Sequence, residues 1–418
     1  MNVNQWVRWT LLTLLCLPLV CHQSSASETD WPWWRGPNRN GIAVGPLPPL
    51  TFGPSENILW RTAVPGRSHG SVIVIEDQVV LVSADTERQQ QSVICLDRKT
   101  GDEVWKTVVH QGGLTDKGNQ KATLGSTSPA TDGERIFVNF LNNGAVYTTA
   151  LDRDGKQLWQ TKITDYVVHQ GYGSSPTVWE SLVIVSADNK GGGAIAGLDR
   201  ATGKIVWKRD RPDKPNYASP VIVNAAGTQQ LIFTGCDLVT SLNPLTGDVN
   251  WEIEGATTEC VTTTVTDGER IFTSGGYPKN HISAVEADGS GTVTWENKTR
   301  TYVPSMIAHD GYLYAVLDAG VAVCYRSHDG EEMWKGRLAG TFSSSPVMIG
   351  DRIYATNESG TTFVIKASPD GFEKLATSQL GDIVFATPVI VDGRIYQRIA
   401  HGVGDDRQEY VYCIGHRD

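Results

Sequence analysis

With 418 residues, 40% of them hydrophobic and only 20% charged, the chain can bury a large core, and its 43 Gly and 13 Trp suit many short strands joined by tight turns. A formal net charge of −10 argues against a nucleic-acid partner and against anionic membrane surfaces, both of which call for a basic face. The seven Cys include no CxxC pair, which excludes a disulfide framework and c-type haem attachment.

Residues 1–26 combine Arg8, an apolar run from Leu11 to Val20, and the small residues Ser24, Ser25 and Ala26. This order predicts a secretory signal peptide cleaved after Ala26. The run is shorter than the roughly 20 residues of a spanning helix, so the mature chain is expected to have no transmembrane segment. Leu19-Val20-Cys21 resembles a lipobox, but Val20 is too large for the position before a lipidated Cys, so anchoring at Cys21 is not expected. The mature protein is therefore expected to be exported, periplasmic or at the cell surface or outside the cell, and to be a monomer. Residues 27–56 carry Trp31, Trp33 and Trp34 together with Pro32, Pro37, Pro46, Pro48 and Pro49, and read as an extended strap with its Trp rings packed against the wall of the domain that follows.

From residue 57 onward the chain repeats. Segments 96–105, 151–159, 198–207, 242–251, 285–295 and 325–334 share a strand, a reversal at Gly and a second strand ending in Trp, with a degenerate copy at 365–375. Asp97, Asp152 and Asp199 are placed to cap the reversals. A second segment lies between these copies, at 126–140, 174–186, 218–235, 262–275, 344–356 and 386–398, and reads as a hairpin opened by Ser/Thr-Pro and turned at Asp-Gly. Two hairpins make one four-stranded blade, and a period of 40 to 50 residues signals a propeller. The fold expected over 57–418 is all-β: an eight-bladed β-propeller of four-stranded antiparallel blades. The last blade runs out of chain before its outer strand, and Ile58 to Trp60 is expected to supply it and close the ring. Cys95, Cys324 and Cys413 fall at one place in the repeat, held elsewhere by Gly197 or Ser241, and read as small buried packing residues. Pairing of Cys236 with Cys260 is left open.

The A-L-D-x-x-T-G-x-x-x-W pattern resembles the repeat of quinoprotein alcohol dehydrogenases and of their non-enzymatic relatives, the BamB-like propellers. The stretch 31–41, Trp-Pro-Trp-Trp-Arg-Gly-Pro-Asn-Arg-Asn-Gly, resembles the N-terminal tag of many exported bacterial propellers of this kind. The resemblance implies a fold and leaves two activities. One is a protein-binding or scaffold module similar to the BamB-type outer-membrane assembly factors. The other is a dehydrogenase oxidising an alcohol or sugar, which calls for pyrroloquinoline quinone (PQQ), a Ca2+ ion and an Asp base. The chain has none of the additions common in the dehydrogenases, such as an adjacent Cys-Cys pair or a haem domain, so the first reading is taken, with no cofactor assigned and no catalytic residue named.

In a four-stranded blade the first and third turns open on one face, and here they are tight Gly reversals. The other face carries the long loops 110–125, 164–173, 188–193, 210–217, 277–281 and 401–408, and the site is expected there and at the channel mouth, where a protein partner would dock. Asn119, Lys121, Asn189, Lys190 and Arg211 are the loop residues suited to an anionic ligand. His110 and His169, in a repeated Val-Val-His-Gln-Gly, are candidates for a metal, with no third ligand identifiable.

Overall fold

Each Gly-centred reversal produces the hairpin its chemistry dictates. The computed structural model describes residues 30–417, so the expected signal peptide with Cys21 lies outside the described residues. In the first blade Ile73–Ile75, Gln78–Asp85, Gln90–Asp97 and Glu103–Gln111 pair antiparallel in chain order. The two middle strands are buried along almost their whole length and the outer strand is largely open to solvent. Seven more sheets repeat this plan around a ring, giving an eight-bladed all-β propeller. Facing apolar surfaces of neighbouring blades form the core, as where Ile73, Val80 and Val93 meet Ile136, Val138 and Phe140. No helix among the described residues is long and apolar enough to cross a membrane.

The ring closes as expected: Ile58–Val64 pairs antiparallel with Gln408–Ile414 as the outer strand of the last blade. A buried cluster reinforces the joint. Arg398 pairs with Glu409 inside the last blade and donates to Val82 O (2.9 Å) in the first.

The repeat Trp joins blade to blade. The Trp60 ring sits on Gly101 of the next blade, Trp105 on Gly155, Trp159 on Gly203, Trp207 on Gly247 and Trp295 on Gly330; a Cβ at any of these Gly would stand 2.5–2.6 Å from the ring. Each indole Nε1 then donates to a carbonyl of that neighbouring turn, as Trp105 does to Arg153 O (2.9 Å) and Trp159 to Arg200 O (3.1 Å). Across its own blade each Trp faces a small residue: Cys413 opposite Trp60, Cys95 opposite Trp105, Gly197 opposite Trp207 and Cys324 opposite Trp334. The small partner lets the ring lie flat. Asp97 accepts from Lys99 N and Thr100 N, Asp152 from Asp154 N and Lys156 N, and Asp199 from Thr202 N, so these carboxylates hold turns.

The Ser/Thr of the five Ser/Thr-Pro steps at the innermost strands, with Ser71, Thr263 and Ser305 at the equivalent places of other blades, forms a second belt at the channel. Ser71 N donates to Ser128 Oγ, Ser128 N to Ser175 Oγ, and Ser175 N to Ser219 Oγ. On the far side Thr263 N donates to Ser305 Oγ, Ser305 N to Ser345 Oγ, and Ser345 N to Thr387 Oγ1. All six bonds are 2.9–3.0 Å.

The segment expected as a strap along the wall instead enters the central channel. Trp31 pairs with Val74 on an innermost strand, Trp34 rises to the hydroxyl belt, and the chain returns as Ile42–Ala43, parallel to the innermost strand Val347–Ile349. The reason is hydrogen bonding. Innermost strands expose an unpaired edge to the channel, and such groups must be satisfied. Arg35, only 1% exposed, donates to Pro346 O, Asn40 O and Met306 O, while Arg39 reaches Val178 O and stacks on Trp33 at 4.2 Å. Burial without a carboxylate lowers the Arg35 guanidinium to about 9. Gly36 lies against Trp31 and Gly41 against the Arg35 guanidinium, both with positive φ, so neither place admits a side chain.

Candidate functional site

Plugging the channel from the turn face leaves a blind funnel on the loop face, with a cavity of ≈ 520 Å³. Its floor is the Trp34 indole, whose Nε1 donates to Thr263 Oγ1 (2.7 Å), ringed by belt residues Ser128, Ser175, Ser219, Ser345 and Thr387. Tyr172, Tyr217, Tyr302, Phe342 and Phe385 supply aromatic walls. His69 stacks on Phe385 at 4.2 Å with its Nε2 buried and unpartnered. Desolvation, with Arg67, Arg407, Arg398 and Lys121 adding to it, lowers His69 to about 3, so the ring is neutral.

Two of the residues singled out from sequence line this funnel. Asn119 N and Nδ2 donate to Gln170 O (2.8 Å) and Oε1 (3.0 Å), and Lys121 reaches Glu358 Oε2 at 2.8 Å. Their loop thereby spans the mouth from the third blade to the seventh. Asn189, Lys190 and Arg211 do not line it. Asn189 ties its own loop through Asp165 O, Ala187 O and Gly192 O; Arg211 is buried against Asp188 (3.2 Å) and Gly235 O; Lys190 is exposed at a hairpin tip. The two histidines occupy unlike surroundings. His110 lies edge-on to Phe140 and beside Tyr147, and burial lowers it to about 4. His169 Nδ1 stands 3.2 Å from Tyr217 Oη and 3.3 Å from Glu259 Oε1. Cys236 and Cys260 are free, buried thiols.

Sequence reasoning missed Trp34, His69 and the hydroxyl belt. The Ser/Thr-Pro steps were visible as strand starts, but their role depends on the next blade. Glu259 was missed too; it accepts from Tyr302 Oη (3.0 Å) and, with desolvation, raises both Tyr302 and Tyr217.

A calcium-bound quinone needs several oxygen donors converging on one cation. Among the described residues no three His, Cys, Asp or Glu side chains gather to hold an ion. The funnel carboxylates are already engaged, Asp318 by the N–H groups of Tyr302 and Val303, and Glu358 by Lys121 and Ser343. The side chains present do not fit that group.

A family model described as outer membrane protein assembly factor BamB matches residues 53–165, 89–336 and 278–374. The chain belongs to this family. Among BamB relatives, that of Burkholderia pseudomallei is 25% identical over 365 residues, covering 82% of this chain and 86% of its own. A polyvinylalcohol dehydrogenase of Sphingopyxis sp. is 27% identical over 290 residues, covering 57% of this chain and 42% of its own; the chain thus spans less than half of that relative. In fold, BamB from Moraxella catarrhalis superimposes with a TM-score of 0.61 at 14% identity, over 86% of this chain and 98% of its own. A europium-containing methanol dehydrogenase gives 0.66 at 12% identity, over 93% and 98%. The BamB family and the quinoprotein dehydrogenases share this propeller, which by itself assigns neither role.

Proposed function

We propose that this chain is an exported binding propeller that presents its loop face and blind funnel to a protein partner, as a BamB-type scaffold does. One observation carries the reading: the funnel's carboxylates are spent on holding loops, while its aromatic and hydroxyl surface stays open to a ligand. A site built for quinone chemistry would instead gather those carboxylates about a cation. Near end-to-end similarity to a BamB supports the same reading.

The test is titration of the protein with PQQ and CaCl2, following quinone absorbance and dye-linked alcohol oxidation. No saturable binding and no turnover are expected. Calcium-dependent saturation with turnover would overturn the proposal in favour of a quinoprotein dehydrogenase, the reading that similarity to the polyvinylalcohol dehydrogenases supports.

A further inference from the structure

The funnel floor is unusual in what its hydrogen-bonding groups leave unspent. The hydroxyl oxygens of Ser128, Ser175, Ser219, Ser345 and Thr387 each accept a backbone N–H from the neighbouring blade. A hydroxyl has one proton to give as well. Among the described residues none of the five donates that proton to a protein acceptor, and all five line the cavity while 2–8% exposed. Beneath them the Trp34 indole N–H is taken by Thr263, which leaves the belt hydroxyls as the floor's unspent donors.

Cationic side chains outnumber carboxylates nearby. Around His69, on the side where the last blade meets the first, stand Arg67, Arg398, Arg407 and Lys121, with Glu409 facing Arg398 and Arg407. The carboxylates that line the funnel, Asp318 and Glu358, belong to the sixth and seventh blades and are engaged, Asp318 by the Tyr302 and Val303 N–H groups and Glu358 by Ser343 and by Lys121 itself, and Arg300 lines the wall as a further cation. A cluster of unspent donors beside excess cationic charge favours an acceptor that carries negative charge, because charge-assisted hydrogen bonds are about twice as strong as neutral ones. The walls above, with Tyr172, Tyr302, Phe342 and Phe385, favour apolar matter next to that charge.

We infer that the funnel floor is an oxyanion seat that takes the carboxylate of an acidic side chain on a peptide segment inserted by the partner. The inference rests on the proposed role of the loop face and names what that face recognises. No metal takes part: the hydroxyls and His69 hold the carboxylate directly, and the flanking residues of the segment pack on the aromatic walls.

The experiment uses the whole chain and two N-acetylated, C-amidated pentapeptides with a central Glu or Gln between Phe residues, followed by tryptophan fluorescence, with Trp34→Phe identifying the reporting ring. The Glu peptide is expected to bind at least tenfold more tightly than its Gln twin, and benzoate much more weakly than the Glu peptide. Double substitution Ser128→Ala and Ser345→Ala should erase the preference. Because those hydroxyls also join blades, His69→Phe, which keeps the belt and the stack on Phe385, serves as the second variant and should weaken the Glu peptide several-fold while leaving the Gln twin unchanged. Equal binding of the twins, no binding of either at millimolar concentration, or benzoate binding as tightly as the Glu peptide would overturn the inference. Failure here with a partner still cross-linked at the loop face would refute the oxyanion seat and leave the binding role intact.

Discussion

Replacing Gly203 by Ala tests the contact that joins blade to blade. Gly203 has φ +72°, and a Cβ there would stand 2.5 Å from the Trp159 ring. An L-residue in the left-handed region costs about 1–2 kcal/mol, and overpacking a filled contact adds about 1–3 kcal/mol. The ring cannot retreat easily, since its Nε1 is bound to Arg200 O and it packs at a tilt against the Phe137 ring, centroids 5.9 Å apart. The expected loss is about 2–5 kcal/mol in all. Gly133→Ala is the matched control: φ is +92°, yet no atom lies within 4 Å of the added Cβ, so only the backbone cost of about 1–2 kcal/mol applies. Urea unfolding of both variants with unchanged m-values reads the difference directly. Equal losses would show that the Trp-on-Gly contact contributes nothing and would refute the account of the repeat.

Three further outcomes follow from the same geometry. Removing residues up to Arg61 bares the edge of Gln408–Ile414 and should cause aggregation and a lower melting temperature; a soluble monomer melting as before would contradict closure by Ile58–Val64. Arg35→Ala deletes three carbonyl contacts of the plug and should raise hydrogen exchange across 31–43 while the blades stay protected; unchanged exchange would refute the plug's dependence on that guanidinium. Burial lowers His69 to about 3 and both His110 and His281 to about 4, all beneath an unfolded value near 6.5. The folded state therefore binds fewer protons, so their contribution is full above pH 6.5 and is lost as pH falls, by about 1.4 kcal/mol per pH unit for each ring once the unfolded form is protonated. His110→Phe should flatten the slope between pH 6 and 5, and an unaltered slope would refute the assignment.

The sequence carried the blades because hairpin chemistry is local: Asp97 ends one strand, Gly101 reverses the chain and Trp105 marks the next, although that strand, Glu103–Gln111, runs on past the Trp at which it was expected to end. Closure was legible because Ile58 to Trp60 reads as a Trp-bearing strand with no hairpin before it, a strand that in the structure continues to Val64. What stayed hidden is contact between repeats. Nothing local tells that Gly155 is needed by Trp105, or that Ser128 holds the amide of Ser71. The plug was read as a strap because its prolines speak only of irregular backbone. Arg35 and Arg39, set among Trp and bracketed by Gly36 and Gly41, were the available signal, since arginines in so apolar a stretch must find buried acceptors. Loop residues divided by their neighbours. Arg211 is drawn inward by Asp188, whereas Asn119 and Lys121 sit on a loop long enough to cross the funnel mouth.

The binding role is tested most directly by placing a photo-crosslinking residue at Val167 or Tyr277 on the loop face, both more than half exposed, and at Lys99 or Asp154 on the turn face, in cells that export the protein. A discrete protein adduct from the loop-face positions, with none from the turn face, is the predicted result. Adducts from the turn face alone, or from neither face, would contradict the account.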